Sequence, residues 1–266
     1  MKNKNIKKEW WETTFNKKYT TTYADATPSE LTIKQVDFLL KNLKLKPGAK
    51  ILDLACGFGR HSIELAKKGY NVTGVDFSNY LIKLAVEEAK KQNINATFIQ
   101  KDIRKIYFKG KFDAAINMFT SFGYFKNEED HALAVKKFSQ SLKVKGRLLI
   151  DLNNSIRTIL SILKESKVEK KTKLLTNMHK EKLSNGLVLT TVNQFDHKTM
   201  RWNMKRSWKK EGKMKSYCTS IRLFFLPEIN NLLKNNGLRI QKTWGDFDGR
   251  PFNFNSRRLI ILAEKI

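Results

Sequence analysis

The chain is poor in the residues that staple folds or chelate metals. Its two cysteines, Cys56 and Cys218, stand far apart, and with four histidines in 266 residues no Cys/His cluster of metal-ligand spacing forms. Neither a disulfide framework nor a zinc site is expected, and no metal is assigned. No apolar run approaches the roughly 20 residues of a membrane span. The start, MKNKNIKKEWW, carries basic residues without the apolar stretch of a secretory signal. The expectation is a soluble cytoplasmic protein with no membrane partner. Acids are also short, 25 Asp and Glu against 52 Lys and Arg, a formal charge of +27.

That charge has two readings. Lys and Arg release counterions from nucleic acid on binding, so a strongly basic chain can approach phosphates. Lysine bias together with frequent Asn and Ile is also the composition of an AT-rich coding sequence, and scattered lysine is ordinarily solvated surface. Composition leaves both open. The 41% hydrophobic content is enough for a core, and the length suits one α/β domain with an insertion.

SELTIKQVDFLLKNL spaces Leu31, Val36, Leu39, Leu40 and Leu43 as a helix behind Pro28 and Ser29, ended by Pro47 and Gly48. Strands and helices then alternate. KILDLAC, NVTGVDF, ATFIQKD, KFDAAINMF and GRLLIDLN read as strands, with RHSIELAKKG, NYLIKLAVEEAKKQN and HALAVKKFSQSL as helices between them. Such alternation with short links makes βαβ units and a parallel sheet with helices on both faces. After Asn154 the rhythm breaks, and GLVLTTVNQFD, MRWNMKRSWKK and MKSYCTSIRLF alternate as antiparallel strands. LPEINNLLKNNG returns as a helix, followed by LRIQKTWG and SRRLIILAEK as strands. The expected division is an amino-terminal helical cap over 1–45, a core over 46–154 and 226–266, and an inserted antiparallel lid over 155–225.

ILDLACGFGRHS, at the end of the first strand, carries the chemistry. In a parallel sheet ligands bind beyond the carboxyl ends of the strands, where strand order reverses. Gly57 and Gly59 let the backbone turn sharply and approach a ligand. The third glycine of a dinucleotide fingerprint is missing, since Ser62 stands there. Asp53 lies where a pyrophosphate would rest, and a carboxylate there repels a diphosphate but attracts a cation.

These residues resemble the class I S-adenosylmethionine-dependent methyltransferases, most strongly over ILDLACGFGRHSIELAKKGYNVTGVDFS, with the resemblance running from about Tyr19 to the carboxyl terminus. It implies an α/β Rossmann-like sheet of seven mostly parallel strands in order 3-2-1-4-5-7-6, the last antiparallel, with helices on both faces. The implied cofactor is S-adenosyl-L-methionine, leaving as S-adenosyl-L-homocysteine. Its cradle would be Asp53, Ala55, Gly57 and Gly59. Asp76 and Phe77 would take the ribose, Asp102 and Ile103 the adenine, and Asn117 the methionine part. Tyr19 and Tyr23, four apart on one helical face, belong to a segment that such enzymes frequently fold over the cofactor.

Methyl transfer by in-line displacement asks mainly for alignment and exclusion of water. Phe119, Phe122 and Tyr124 in MFTSFGYF follow the fourth strand, beside the expected methyl position, where aromatic faces can stabilise a cation. No general base declares itself, His61 reads as a first-turn helix residue, and the catalytic assignment stays open. The place of an N/D-P-P-Y motif reads NMFT, against methylation of an exocyclic base amine. Neither Cys56 nor Cys218 follows proline, against five-carbon pyrimidine methylation. The insertion and GDFDGRPFNFNSRRL resemble a bacterial and archaeal branch of small-molecule type, with Arg222, Trp244 and Arg250 as candidates to line the acceptor cleft. A small-molecule N-, O- or S-methyltransferase is the first expectation. An RNA or ribosomal enzyme using the charge, or a non-catalytic cofactor-binding subunit, are the alternatives.

Overall fold

The computed structural model describes residues 9–17, 19–20, 29–164, 166–168, 174–183 and 186–266. Tyr23 and Pro28 lie outside them. The chain opens with α1 (Trp10–Thr14) and α2 (Ser29–Leu43). There follow β1 (Lys50–Leu54), α3 (Arg60–Lys67), β2 (Asn71–Asp76), α4 (Asn79–Lys91), β3 (Thr97–Gln100), β4 (Phe112–Asn117), α5 (Glu128–Ser141) and β5 (Leu142–Asn153). Next come α6 (Ser155–Lys164), β6 (Lys167–Val168), β7 (Leu175–Lys182), β8 (Val188–Asp196), β9 (Arg201–Lys210) and β10 (Lys213–Arg222). The chain ends with α7 (Leu226–Lys234), β11 (Leu238–Trp244) and β12 (Arg258–Lys265).

The main sheet runs β11-β12-β5-β4-β1-β2-β3, the expected order. β1, β2, β3, β4 and β5 pair in parallel, whereas β12 runs antiparallel to both β5 and β11. Order reverses at β1, whose neighbours are β2 and β4, so the crevice opens beyond Leu54. Alternation along β1 divides the core. Ile51 packs with Val36, Leu39 and Leu65 under α2 and α3, while Leu52 and Leu54 pack with Phe138 and Ile229 on the other face. Strands buried on both faces have to be apolar throughout, which is why KILDL and RLIILAEK read as near-continuous apolar runs.

A second, antiparallel sheet runs β10-β9-β8-β7-β6. The range assigned to an all-strand insertion begins instead with a helix. In SIRTILSILK the apolar residues Ile156, Ile159, Ile162 and Leu163 follow a helical spacing, and Asn154 Oδ1 accepts the amide of Ile156 at 3.1 Å, as a cap does. Ile162 on α6 packs against Phe195 and Leu223, tying the helix to this sheet. Arg201 on β9 then clasps the sheet to the loop after β4, donating to the carbonyls of Phe125 at 2.9 Å and Tyr124 at 3.4 Å.

Candidate functional site

The turn after β1 places three left-handed residues in alternation, Ala55 (φ 58°), Gly57 (φ 59°) and Gly59 (φ 81°). The two glycines serve different ends. A Cβ at Gly57 would meet no atom within 4 Å, so the space beside that backbone is open. At Gly59 it would lie 2.9 Å from Ala85 Cβ and from the Phe98 ring, so this glycine lets α3 dock against α4 and β3. Gly59 therefore supports the cradle from behind and does not line the cavity.

That cavity brings together Tyr19, Asp53, Ala55, Gly57, Asp76, Phe77, Asp102, Ile103, Phe119 and Tyr124. It also takes in residues that the sequence did not mark: Trp11, Phe15, Phe58, Arg60, Ser121 and Phe125. The aromatics from α1 and its continuation close one side. Phe15 stacks on Tyr124 at 5.6 Å and meets Tyr19 edge-on at 4.8 Å, and Trp11 meets Phe77 edge-on at 4.8 Å. Ser78 Oγ donates to the Phe15 carbonyl at 2.7 Å, pinning this cap to the start of α4.

The carboxylates differ in how they are held. Asp53 is 1% exposed and accepts from Ser62 Oγ at 2.6 Å. Burial lifts it to about 6, against the lowering pull of Ser62 and of the Arg60 charge. Ser62, the substituted third glycine, is thus the partner that orients Asp53. Asp76 accepts the amide of Gly57 on one oxygen and that of Ser78 on the other, both at 2.8 Å, and burial raises its pKa. Each oxygen keeps a lone pair for a ligand hydroxyl. Asp102 is gripped by Arg104, with Nη2 at 2.7 Å, and Arg104 reaches on to Glu9 at 3.2 Å and Asp130 at 3.0 Å. With its Cζ 5.4 Å from the Trp11 ring and 4.8 Å from Phe125, Arg104 joins the cap to the loop after β3.

Asn117 stands behind the turn, fully buried, its Nδ2 donating to the Leu54 carbonyl at 2.8 Å. Its Oδ1 has no hydrogen-bond partner among the described residues, and Asn117 is not among the residues that line the cavity. His61 is buried, with Nε2 2.9 Å from Gln35 Oε1, and burial together with Arg60 holds its pKa well below the usual value. It is neutral at physiological pH. Burial also pushes the Cys56 thiol far up, with Asp53 adding to it, so this cysteine is no nucleophile.

The loop after β4 is strained and clamped. Phe119 and Thr120 both have left-handed backbones (φ 64° and 65°). Thr120 Oγ1 accepts the amide of Asn153 and a guanidinium N–H of Arg258, each at 3.0 Å. Arg60 and Arg258 approach the Phe119 ring, at 5.1 and 5.8 Å from its centroid. Phe122 points away from the cavity into the core beside Phe138 and Phe224.

Three residues expected in an acceptor cleft lie elsewhere. Arg222 pairs with Glu128 at 2.8 Å and Glu228 at 2.6 Å near the start of α7. Trp244, 2% exposed, packs edge-on against Phe38 at 5.1 Å in the core. Arg250 is spent on Asp248 at 2.6 Å in an exposed turn.

A family model described as "Methyltransferase domain" matches residues 51–146. A protein of Bacillus subtilis named "Putative methyltransferase YqeM" is 29% identical over 217 residues, 81% of this chain and 84% of that one. The glycine/sarcosine N-methyltransferase of Halorhodospira halochloris is 32% identical over 120 residues, 44% of this chain and 45% of that enzyme. Among solved structures, an S-adenosylmethionine-dependent methyltransferase from Clostridium acetobutylicum superposes with a TM-score of 0.77 at 20% identity, over 93% of this chain and 98% of that one. Among the described residues no helix is long and apolar enough to cross a membrane, and no group of His, Cys, Asp and Glu is arranged to hold a metal.

Proposed function

The chain is a class I S-adenosylmethionine-dependent methyltransferase, and from that premise we propose that its acceptor is a small molecule carrying an amine nitrogen. The single observation that carries this reading is the closure of the cavity. Phe15, Tyr19 and Tyr124 pack over it, and the loop behind them is fastened to the antiparallel sheet through Arg201. A cavity walled in this way suits a metabolite better than a polymer.

The residues fit the donor on their own chemistry. Asp53 offers an acceptor for its ammonium, Asp76 for its ribose hydroxyls, and Asp102 with the Ile103 amide for its adenine edge. The open space beside Gly57 admits the amino-acid chain. When bound, the donor supplies an electrophilic methyl on a sulfonium. The protein aligns the acceptor lone pair behind that methyl and keeps water out, a matter of position and desolvation.

The choice of acceptor atom rests on the titratable groups among the described residues lining the cavity. His61 is neutral and bonded to Gln35, Asp76 is engaged by backbone amides, and Asp102 by Arg104. An acceptor that needs its proton removed first, such as an alcohol, finds no disengaged base among these groups. An amine that binds neutral needs none. The relative from Halorhodospira halochloris, an N-methyltransferase of glycine and sarcosine, supports the same choice.

The test is incubation with methyl-labelled donor and cell extract divided into nucleic-acid and small-molecule fractions. Label on an amine in the small-molecule fraction is expected. Label confined to RNA, with activity falling steeply as salt is raised, would replace this reading by a basic RNA enzyme. Donor binding without label in either fraction would point to a non-catalytic subunit.

A further inference from the structure

The donor cavity opens beyond the end of β1, and the opposite end of the main sheet carries a second concave surface. Four segments meet there: the connection from α2 to β1, the connection from β3 to β4, the start of β5 and the end of β12. They wall two adjoining cavities of about 550 Å³ each, which share Lys143 and Val144. Lys109 and Lys265 line one, and Lys44, Lys46 and Lys145 the other. The acids of this trough, Asp113 and Glu264, are already engaged. Asp113 accepts Lys143 Nζ at 2.6 Å and the Lys50 amide at 2.8 Å, and Glu264 lies 3.7 Å from Arg147. Lys44, Lys46, Lys109 and Lys145 are exposed, and among the described residues none of them pairs with a carboxylate.

Local structure turns two apolar side chains outward at the rim. In IYF, between β3 and β4, Ile106 is 1% exposed and Phe108 packs edge-on against Phe112 at 5.2 Å. Tyr107 between them is left 75% exposed. The register of β5 with β4 shifts between Leu142 and Arg147, and Lys145 there takes a left-handed backbone (φ 60°). Gly146 permits this bulge, since a Cβ on it would lie 2.8 Å from the Lys143 carbonyl oxygen. The bulge thrusts out Val144, 72% exposed. Among the described residues no large apolar side chain is more exposed than these two.

We propose that this trough binds single-stranded nucleic acid, with phosphates on its lysines and a base stacked on Tyr107. A basic groove beside an aromatic face suits a strand of any sequence, because every nucleotide offers a phosphate charge and a π-face. A concave floor of lysines follows a narrow strand, whereas a flat anionic bilayer would meet the rim and miss the floor. An acidic peptide would use the lysines without a base to cover the Tyr107 ring. The strand lies at the far end of the sheet from the donor cavity, so it is a bound partner and not the methyl acceptor.

The experiment is fluorescence anisotropy of a labelled oligouridylate of about 12 nucleotides, within the site sizes of single-strand grooves, titrated with the whole chain between about 50 and 200 mM salt. In the triple variant Lys46→Gln, Lys109→Gln, Lys145→Gln, each lost phosphate contact should lower the slope of log affinity against log salt by about 0.7, a fall of roughly 2 in all. Tyr107→Ala should weaken binding by about 5- to 100-fold, the range of one stacked base, and keep the salt slope. The control is Lys180→Gln, Lys182→Gln, Lys209→Gln, three exposed lysines of the antiparallel sheet, which should keep the wild-type slope. Affinity for S-adenosylhomocysteine should stay at the wild-type value in all three variants, which also shows that each is folded.

An equal loss in both triple variants means attraction to the chain's net charge of +27 and overturns the proposal, as does a Tyr107→Ala protein that binds like wild type. No affinity for the oligouridylate overturns it too, and phosphatidylserine vesicles bound through the same lysines would then assign the trough to a lipid surface. Wild-type protein that binds the oligouridylate but not S-adenosylhomocysteine is a different result, since it overturns the donor-site reading and leaves this one standing.

Discussion

One carboxylate oxygen of Asp151 accepts the backbone amide of Phe119 at 2.9 Å, while its other oxygen meets Arg258 Nε at 2.6 Å. A fully buried acid at the end of β5 thereby holds the left-handed pair Phe119–Thr120 in place. Removing one member of a buried ion pair leaves the other uncompensated, at about 3–5 kcal/mol. Asp151→Ala is expected to lower the melting temperature by roughly 10 °C and to depress turnover through the released loop. Replacing both residues by apolar ones, as in Asp151→Leu with Arg258→Met, should cost less than the two single changes added together. Thermal melts of all four proteins give the coupling, and strict additivity would mean that the pair does not act as a unit.

Asp76 receives two backbone amides from the turns on either side, so it is oriented before any ligand arrives. If it accepts both ribose hydroxyls, Asp76→Asn, which keeps the shape but not the charge, should weaken donor binding by about 10- to 100-fold. Titration with the donor checks this, and unchanged affinity would remove the residue from the site.

His131 is buried among the rings of Phe122, Phe125 and Phe224. Burial, with Arg201 next in importance, lowers its pKa to about 4 from an ordinary 6.5. The unfolded chain therefore binds a proton between these values that the folded chain refuses. The stabilising effect is complete above pH 6.5 and is lost progressively as pH falls toward 4, by roughly 3 kcal/mol. Urea midpoints across this range should drop with acid in the wild type. In His131→Phe the drop should be shallower, and equal slopes would show that other groups drive acid unfolding.

The main sheet was legible because its strands are buried on both faces and its helices on one, and each pattern writes itself locally in apolar spacing. The turn was legible because Asp53, Gly57 and the missing third glycine carry chemistry at fixed offsets. Residues that act at long range were not. Arg104 joins Glu9, Asp102 and Asp130, a meeting of distant segments that no spacing announces. Trp11 and Phe15 were visible only as aromatics in a charged stretch. Arg222, Trp244 and Arg250 do not line the cavity, because an arginine near acids satisfies itself locally, and a tryptophan ending a strand beside α2 packs inward. Arg60 left one signal, a cation at the first turn of a helix.

If Asp53 takes the donor's ammonium, it joins stability to binding. In the free protein its pKa is about 6 against 3.8 in an unfolded chain. The folded state therefore holds a proton that the unfolded chain releases between those values. Its contribution is favourable below pH 3.8 and is lost as pH rises through about 6, so at pH 7 the buried carboxylate costs on the order of 3 kcal/mol. A ligand ammonium placed against it favours the ionised form. Donor affinity should then rise with pH up to about 6 and level off above 7, with part of a proton released on binding at pH 6. Titrations in buffers of different ionisation enthalpy measure that proton. Asp53→Asn should be more stable than wild type at pH 7, bind the donor at least 10-fold more weakly, and release no proton. A variant that gains stability and keeps its affinity would mean that the ammonium is held elsewhere.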